Sequence, residues 1–148
     1  MKPVNKILVP IDFSPHSSEA IERAADMACR YGATLELLHV FNPVAYAMAE
    51  SQRVPDGEQV ESALDEFRRK LVEAQEDAGA AGAPRVTATL LEGGVFESIL
   101  RFARENGHDL IVMGTHGRSG LPHMVIGSIA ARVVRTSSCP VLTVRAPG

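Results

Sequence analysis

Gly114, Gly117 and the pair Gly127-Ser128 follow directly on the apolar run Leu110-Ile111-Val112-Met113, with two residues and then nine between the glycines. Residue types in this pattern can hold an anion. Glycine lets backbone N–H groups turn toward one centre and lets a charged group approach closely. A helix beginning near Ser128 and running through Ile129-Ala130-Ala131-Arg132-Val133-Val134 adds unpaired N–H donors and partial positive charge at its start. Strand, glycine loop and helix N-terminus together make a phosphate site. Ser128 is expected to cap that helix, and Arg118 inside the loop can add charge-assisted contacts. Any strand-to-helix loop uses glycine and serine for turns and caps, so the glycines gain meaning only from their spacing. Near the other end of the chain, Asp12 follows the run Ile7-Leu8-Val9-Pro10-Ile11. A carboxylate there can accept from a sugar or base, hold a metal-bound water, or simply order the turn before Ser14.

These groups need strands to carry them. Lys6 to Ile11 is apolar without alternation, which suits a central strand covered on both faces. Ser14-Pro15 reads as N-cap and first-turn proline of a helix with Ile21, Ala24, Ala25 and Ala28 on one face, ending at Gly32. Thr34 to Phe41 is a second strand, apolar except for Glu36 and His39, with His39 expected to be a satisfied sheet residue. Asn42 to Gly57 shows no clear period and reads as a long connection, either a tolerant surface loop or a lid near a ligand. Glu58 to Ala78 is an amphipathic helix with Val60, Leu64, Phe67 and Leu71 as its apolar stripe. Its charge run is a solvated face.

Arg85 to Glu92 alternates in part, as an edge strand does, and Gly93-Gly94 turns into a helix bearing Phe96, Ile99, Leu100 and Ala103. No Gly-Lys-Ser/Thr follows these glycines, so they are not a P-loop. Asn106-Gly107 stops the helix and leaves His108 in a turn, expected to be solvated. The last strand, Cys139 to Val144, contains Pro140, which belongs at a strand start or a sheet edge.

Five strand–helix alternations predict a single α/β domain over residues 1–148, a doubly wound parallel sheet. Ligands of such sheets sit beyond the carboxyl ends of the two strands where the winding reverses. The distinctive strand ends are Pro10-Ile11-Asp12 and Met113-Gly114, so the first and fourth strands belong side by side, giving the order 3-2-1-4-5.

Composition narrows the function. A chain of 148 residues, 45% hydrophobic and 22% charged, can bury a core. Its net charge of −3 argues against nucleic acid as the main partner. Apolar runs are too short for a membrane span, and Pro10-Ile11-Asp12 interrupts the first run where a signal peptide would continue. Cys29 and Cys139 read as free thiols of a reducing cytoplasm. His116 and His123, even taken together with His16, lack the spacing and acidic partner of a metal site, and His116 is expected beside the phosphates.

The spacing Gly114, Gly117, Gly127-Ser128 after Met113 resembles the nucleotide-binding motif of the universal stress protein family. Ile7-Leu8-Val9-Pro10-Ile11-Asp12-Phe13-Ser14 is similar to that family's opening strand and turn, and Ser138-Cys139-Pro140-Val141-Leu142-Thr143-Val144 to its closing strand. The resemblance spans essentially the whole chain and implies the same sheet order. It makes ATP, with or without Mg2+, the expected ligand, and the glycine loop is where its phosphates are expected, on the N–H groups around Gly117, Arg118, Gly127 and Ser128. The main chain of Val40 would read the base edge, and Pro10 and Met113 would form apolar walls. It further implies a homodimer through Cys139 to Val144 and a regulatory task in stress adaptation. AMP or cyclic AMP would be served by the same base and ribose contacts. The rival readings are a slow ATPase, for which only Asp12 and His116 offer themselves as base, and a nucleotide-independent interaction module. A dinucleotide domain is disfavoured, because no Gly-x-Gly-x-x-Gly follows the first strand.

Overall fold

A computed structural model of the chain describes residues 2–50, 56–116 and 126–146. Among these, the elements run β1 (Lys6–Pro10), α1 (Pro15–Tyr31), β2 (Thr34–Phe41), α2 (Pro43–Glu50), α3 (Gly57–Ala80), β3 (Arg85–Glu92), α4 (Val95–Glu105), β4 (Leu110–Gly114), α5 (Ser128–Thr136) and β5 (Val141–Val144). The strands form one parallel sheet in the order β3-β2-β1-β4-β5, as expected.

The unbroken apolar runs of the central strands follow from their being covered twice. Ile7, Val9, Leu35, Leu37 and Val112 pack toward α1 and α3, against Ala20, Ala24, Ala28, Leu71 and Ala74. The alternate residues Leu8, Leu38, Val40, Ile111 and Met113 pack toward α4 and α5, against Ile99, Ala103, Ala130 and Val133. β3 and β5 lie at the edges and are correspondingly less buried. The alanines on the inner face of α1 leave no bulk between that helix and the sheet, and Ala20, Ala24, Ala25 and Ala28 are fully buried.

Local signals set the ends. Ser14 caps α1, its hydroxyl accepting the Ser17 N–H at 3.2 Å, with Pro15 in the first turn. Gly32 closes α1 at φ 69°, a left-handed conformation that glycine adopts without a Cβ clash. Asp56 and Gln59 form a reciprocal capping box at the start of α3, with bonds of 2.8 and 3.0 Å.

Two expectations are corrected. The stretch after β2 is not a featureless connection, because α2 occupies Pro43–Glu50. Asn42 Oδ1 accepts the N–H groups of Val44 and Ala45 at 3.1 and 3.2 Å. Asn42-Pro43 therefore starts a helix by the same chemistry as Ser14-Pro15; residues 51–55 lie outside the described set. His108 is not solvated. It is 6% exposed, and its Nε2–H donates to Glu36 Oε1 at 3.0 Å. Glu36, turned toward the α4 side of the sheet, needs a buried donor, and the turn after α4 supplies one.

Candidate functional site

β1 and β4 pair through Ile7 with Leu110 and Leu8 with Ile111, which brings their carboxyl ends side by side. The chain leaves β1 for α1 on one face of the sheet and leaves β4 for α5 on the other, so the winding reverses here. A cavity of about 210 Å³ opens at this reversal. Its lining includes Pro10 and Asp12 from the end of β1, Met113 and Gly114 from β4, and Gly127 and Ser128 at the start of α5. Val95, Ile99, Met113 and Ile129 give it an apolar wall.

Asp12 is held by a closed set of hydrogen bonds. Its Oδ1 accepts the Ser14 N–H at 3.0 Å and the Ser17 hydroxyl at 2.7 Å, while its own N–H donates to Ser17 Oγ at 2.9 Å. Asp12 thus orders the turn before α1, and it also lines the cavity. The chain can reverse this tightly because Phe13 sits at φ 64°, the one non-glycine residue with positive φ among those described. That conformation costs about 1–2 kcal/mol for an L-residue with a side chain. The Phe13 ring packs 4.7 Å from His39 and 6.0 Å from Phe67.

At the other wall, α5 begins differently from the expectation. Gly127, at φ −73° and ψ 161°, is the N-cap, and Ser128 is the first helical residue, with no side-chain capping bond. Helical bonding starts with the Ala131 N–H donating to the Gly127 carbonyl at 2.9 Å. The N–H groups of Ser128, Ile129 and Ala130 thus precede the first helical acceptor and point out of the helix start. The Gly127 N–H is committed to the Thr115 carbonyl. On the α5 side of the cavity, the donors for an anion therefore begin at Ser128 rather than Gly127. This end of the cavity carries the positive pole of α5, and Asp12 carries negative charge opposite.

The chain segment between these walls passes Thr115 and His116. Thr115 Oγ1 and His116 Nδ1 are 3.1 Å apart, and the His116 ring lies 5.2 Å from that of His16. His16 Nδ1 accepts the Ala146 N–H at 3.1 Å, tying the first turn of α1 to the chain just past β5.

A model of the universal stress protein family matches residues 3–145. The chain belongs to that family. Universal stress protein A homolog 1 of Coxiella burnetii is 36% identical over 140 residues, covering 93% of this chain and 94% of the relative. A universal stress protein of Methanocaldococcus jannaschii, MJ0531, is 33% identical over 144 residues, covering 96% and 82%. Among solved structures, that of the hypothetical protein MJ0577 superposes with a TM-score of 0.84 at 26% identity over 99% of both chains. That of a universal stress protein in complex with cAMP superposes with a TM-score of 0.74 at 26% identity, over 99% of this chain and 100% of the other.

Seven of the residues singled out for the site in the sequence meet at the cavity of this universal stress protein: Pro10, Asp12, Met113, Gly114, His116, Gly127 and Ser128. Val40 does not line it. It pairs with Leu91 of β3 and is buried on the α4 side, beyond the last residue of β2 that pairs with β1. Gly117, Arg118 and His123 lie outside the described residues. No group of three or more metal-ligating side chains occurs among the described residues. Ser17, Thr115, Val95 and Ile99 also line the cavity and were not anticipated. Ser17 had a signal, since it stands three residues after the helix cap, where a side chain folds back over the helix start. Val95 and Ile99 are one turn apart at the start of α4, but only the sheet order shows that this end faces β1 and β4.

Proposed function

We propose that the chain binds ATP, with Mg2+, in the cavity between the ends of β1 and β4, and acts as a homodimeric, nucleotide-dependent regulatory module in the cytoplasm. The observation that carries this reading is the pairing, across one cavity, of the α5 N-terminus with the carboxylate of Asp12. The phosphates lie against the N–H groups and hydroxyl at Ser128, with the loop residues Gly117 and Arg118 joining them. Asp12 meets the ribose or a metal-bound water, Pro10 and Met113 flank the nucleotide, and the adenine extends out of the cavity past the ends of β1 and β2, where the main chain of Val40 reads its edge. A related universal stress protein solved in complex with cAMP supports an adenine nucleotide as the ligand class.

Mg2+ fits this site only through the nucleotide. Asp12 is the carboxylate on the described part of the wall, so phosphate oxygens and water supply the other ligands. The reading takes the nucleotide as held rather than hydrolysed: Asp12, engaged by Ser14 and Ser17, is given to the ribose or a metal-bound water and is not assigned the role of a base. Dimerisation is assigned to the edge strand β5, where Leu142 is 37% exposed. The free cysteines Cys29 and Cys139 accord with a reducing compartment.

Gly127→Leu tests the placement. Any residue can adopt φ −73° and ψ 161°, so the variant should fold, with its thermal midpoint close to that of the parent. Its side chain at the mouth of α5 should weaken ATP binding by at least about tenfold, a loss of about 1.4 kcal/mol. Unchanged affinity would contradict the placement.

A further inference from the structure

We propose that Phe13 is a positioning residue for the nucleotide, acting through Asp12: its left-handed backbone aims the Asp12 carboxylate into the cavity, and its ring locks that backbone in place. The inference rests on the nucleotide reading of the cavity and adds to it a residue that does not line it.

Three observations converge. Phe13 holds φ 64° where a glycine would meet no strain, so something other than local preference keeps a phenylalanine there. The bond from the Ser14 N–H to Asp12 Oδ1 spans Phe13, and a return of Phe13 to negative φ would swing that N–H away from the carboxylate. The ring is fixed from several sides. It lies 4.7 Å from His39 and stacks on Phe67 with planes 6° apart, and Lys70 Nζ is 5.5 Å from its centroid. His39 is in turn tied to the same turn, since its Nδ1–H donates to the Ile11 carbonyl at 2.7 Å. The Ile11 N–H bonds the Leu38 carbonyl at 2.8 Å. Asp12 is therefore bracketed, by β2 through Ile11 and by the aromatic cluster through Phe13. That cluster also contains Phe41 and Tyr46 of α2, on the face of the sheet away from α4 and α5. Ring packing and carboxylate aim are two ends of one short lever.

The test is a double-mutant cycle of Asp12→Asn and Phe13→Ala, read by ATP calorimetry and by amide hydrogen exchange. Each single change is expected to weaken ATP binding about tenfold, and the double variant to bind within about twofold of Asp12→Asn, because the second change acts through a carboxylate already lost. A role in packing alone would make the two losses multiply, and that result, or full affinity in Phe13→Ala, would overturn the proposal. The exchange measurement needs no ligand. In Phe13→Ala the Ser14 amide should lose protection while the amides of the α1 interior keep theirs; retained protection at Ser14 would overturn the proposal. Should Phe13→Ala fail to fold, Phe13→Leu keeps apolar bulk in the cluster and carries the same cycle. A parent protein that binds no ATP would instead refute the nucleotide reading, and the Ser14 amide alone would then decide whether Phe13 sets the turn.

Discussion

His16 occupies the space that a side chain on Gly114 would need. A Cβ at position 114 would lie 2.7 Å from His16 Cβ and 3.1 and 3.2 Å from its backbone carbon and oxygen. The close seating of the first turn of α1 on the end of β4 is therefore the reason for glycine here. Because backbone atoms are involved, no rotamer change relieves the contact. Gly114→Ala is expected to cost about 1–3 kcal/mol, as overpacking of a filled site does. At about 2–4 °C per kcal/mol for a domain of this size, differential scanning calorimetry would read a drop of several degrees. An unchanged midpoint would mean that α1 seats less closely than described.

The buried pair of His108 and Glu36 makes stability depend on pH. Burial pushes the His108 imidazole below its ordinary value, opposed in part by the charge and hydrogen bond of Glu36. Its Nδ1 is buried and finds no hydrogen-bond partner among the described residues, which also suits a neutral ring. The unfolded chain, titrating near 6.5, takes up the proton first as pH falls. Stability is therefore full above about pH 6.5 and declines as pH falls toward the depressed folded-state value. Urea midpoints at about pH 7.5 and about pH 5.5 should differ more for the parent than for His108→Gln, which keeps a donor for Glu36 but does not titrate. Equal pH dependence in the two proteins would contradict this.

Dimerisation through β5 predicts a specific sensitivity at Leu142. This side chain is partly exposed on a four-residue edge strand whose neighbour on one side is β4. Leu142→Lys places a charge where two such edges would meet, a device that blocks strand pairing. Sedimentation should show the parent as a dimer and the variant as a monomer at the same concentration. A parent that sediments as a monomer, or a variant that stays dimeric, would remove β5 from the interface.

Much of the fold was legible because each element carries its own physical signature. The apolar runs of β1, β2 and β4, the cap Ser14-Pro15 and the terminator Gly32 announce a parallel α/β sheet, and Asp12 and Met113-Gly114 point to its reversal. What was not legible depends on distant partners. His108 sits in a polar turn, and only its pairing with Glu36, distant in sequence, explains its burial. The Gly127 cap differs from the expected Ser128 cap by one residue, a shift decided by the bond from Gly127 to Thr115. Phe13 is the clearest case: nothing in its type foretells a positive φ, which arises because β1 must end and α1 begin within a few residues while the ring stays among His39 and Phe67.

Calorimetry of the parent protein with ATP, ADP, AMP and cyclic AMP, with and without Mg2+, tests the phosphate site most directly. Submillimolar ATP affinity that weakens as phosphates are removed is the expected result, because the donors at the start of α5 engage the phosphates rather than the base. Equal affinity for ATP and AMP would contradict a phosphate site at Ser128, and no binding to any of the four would contradict the nucleotide function itself.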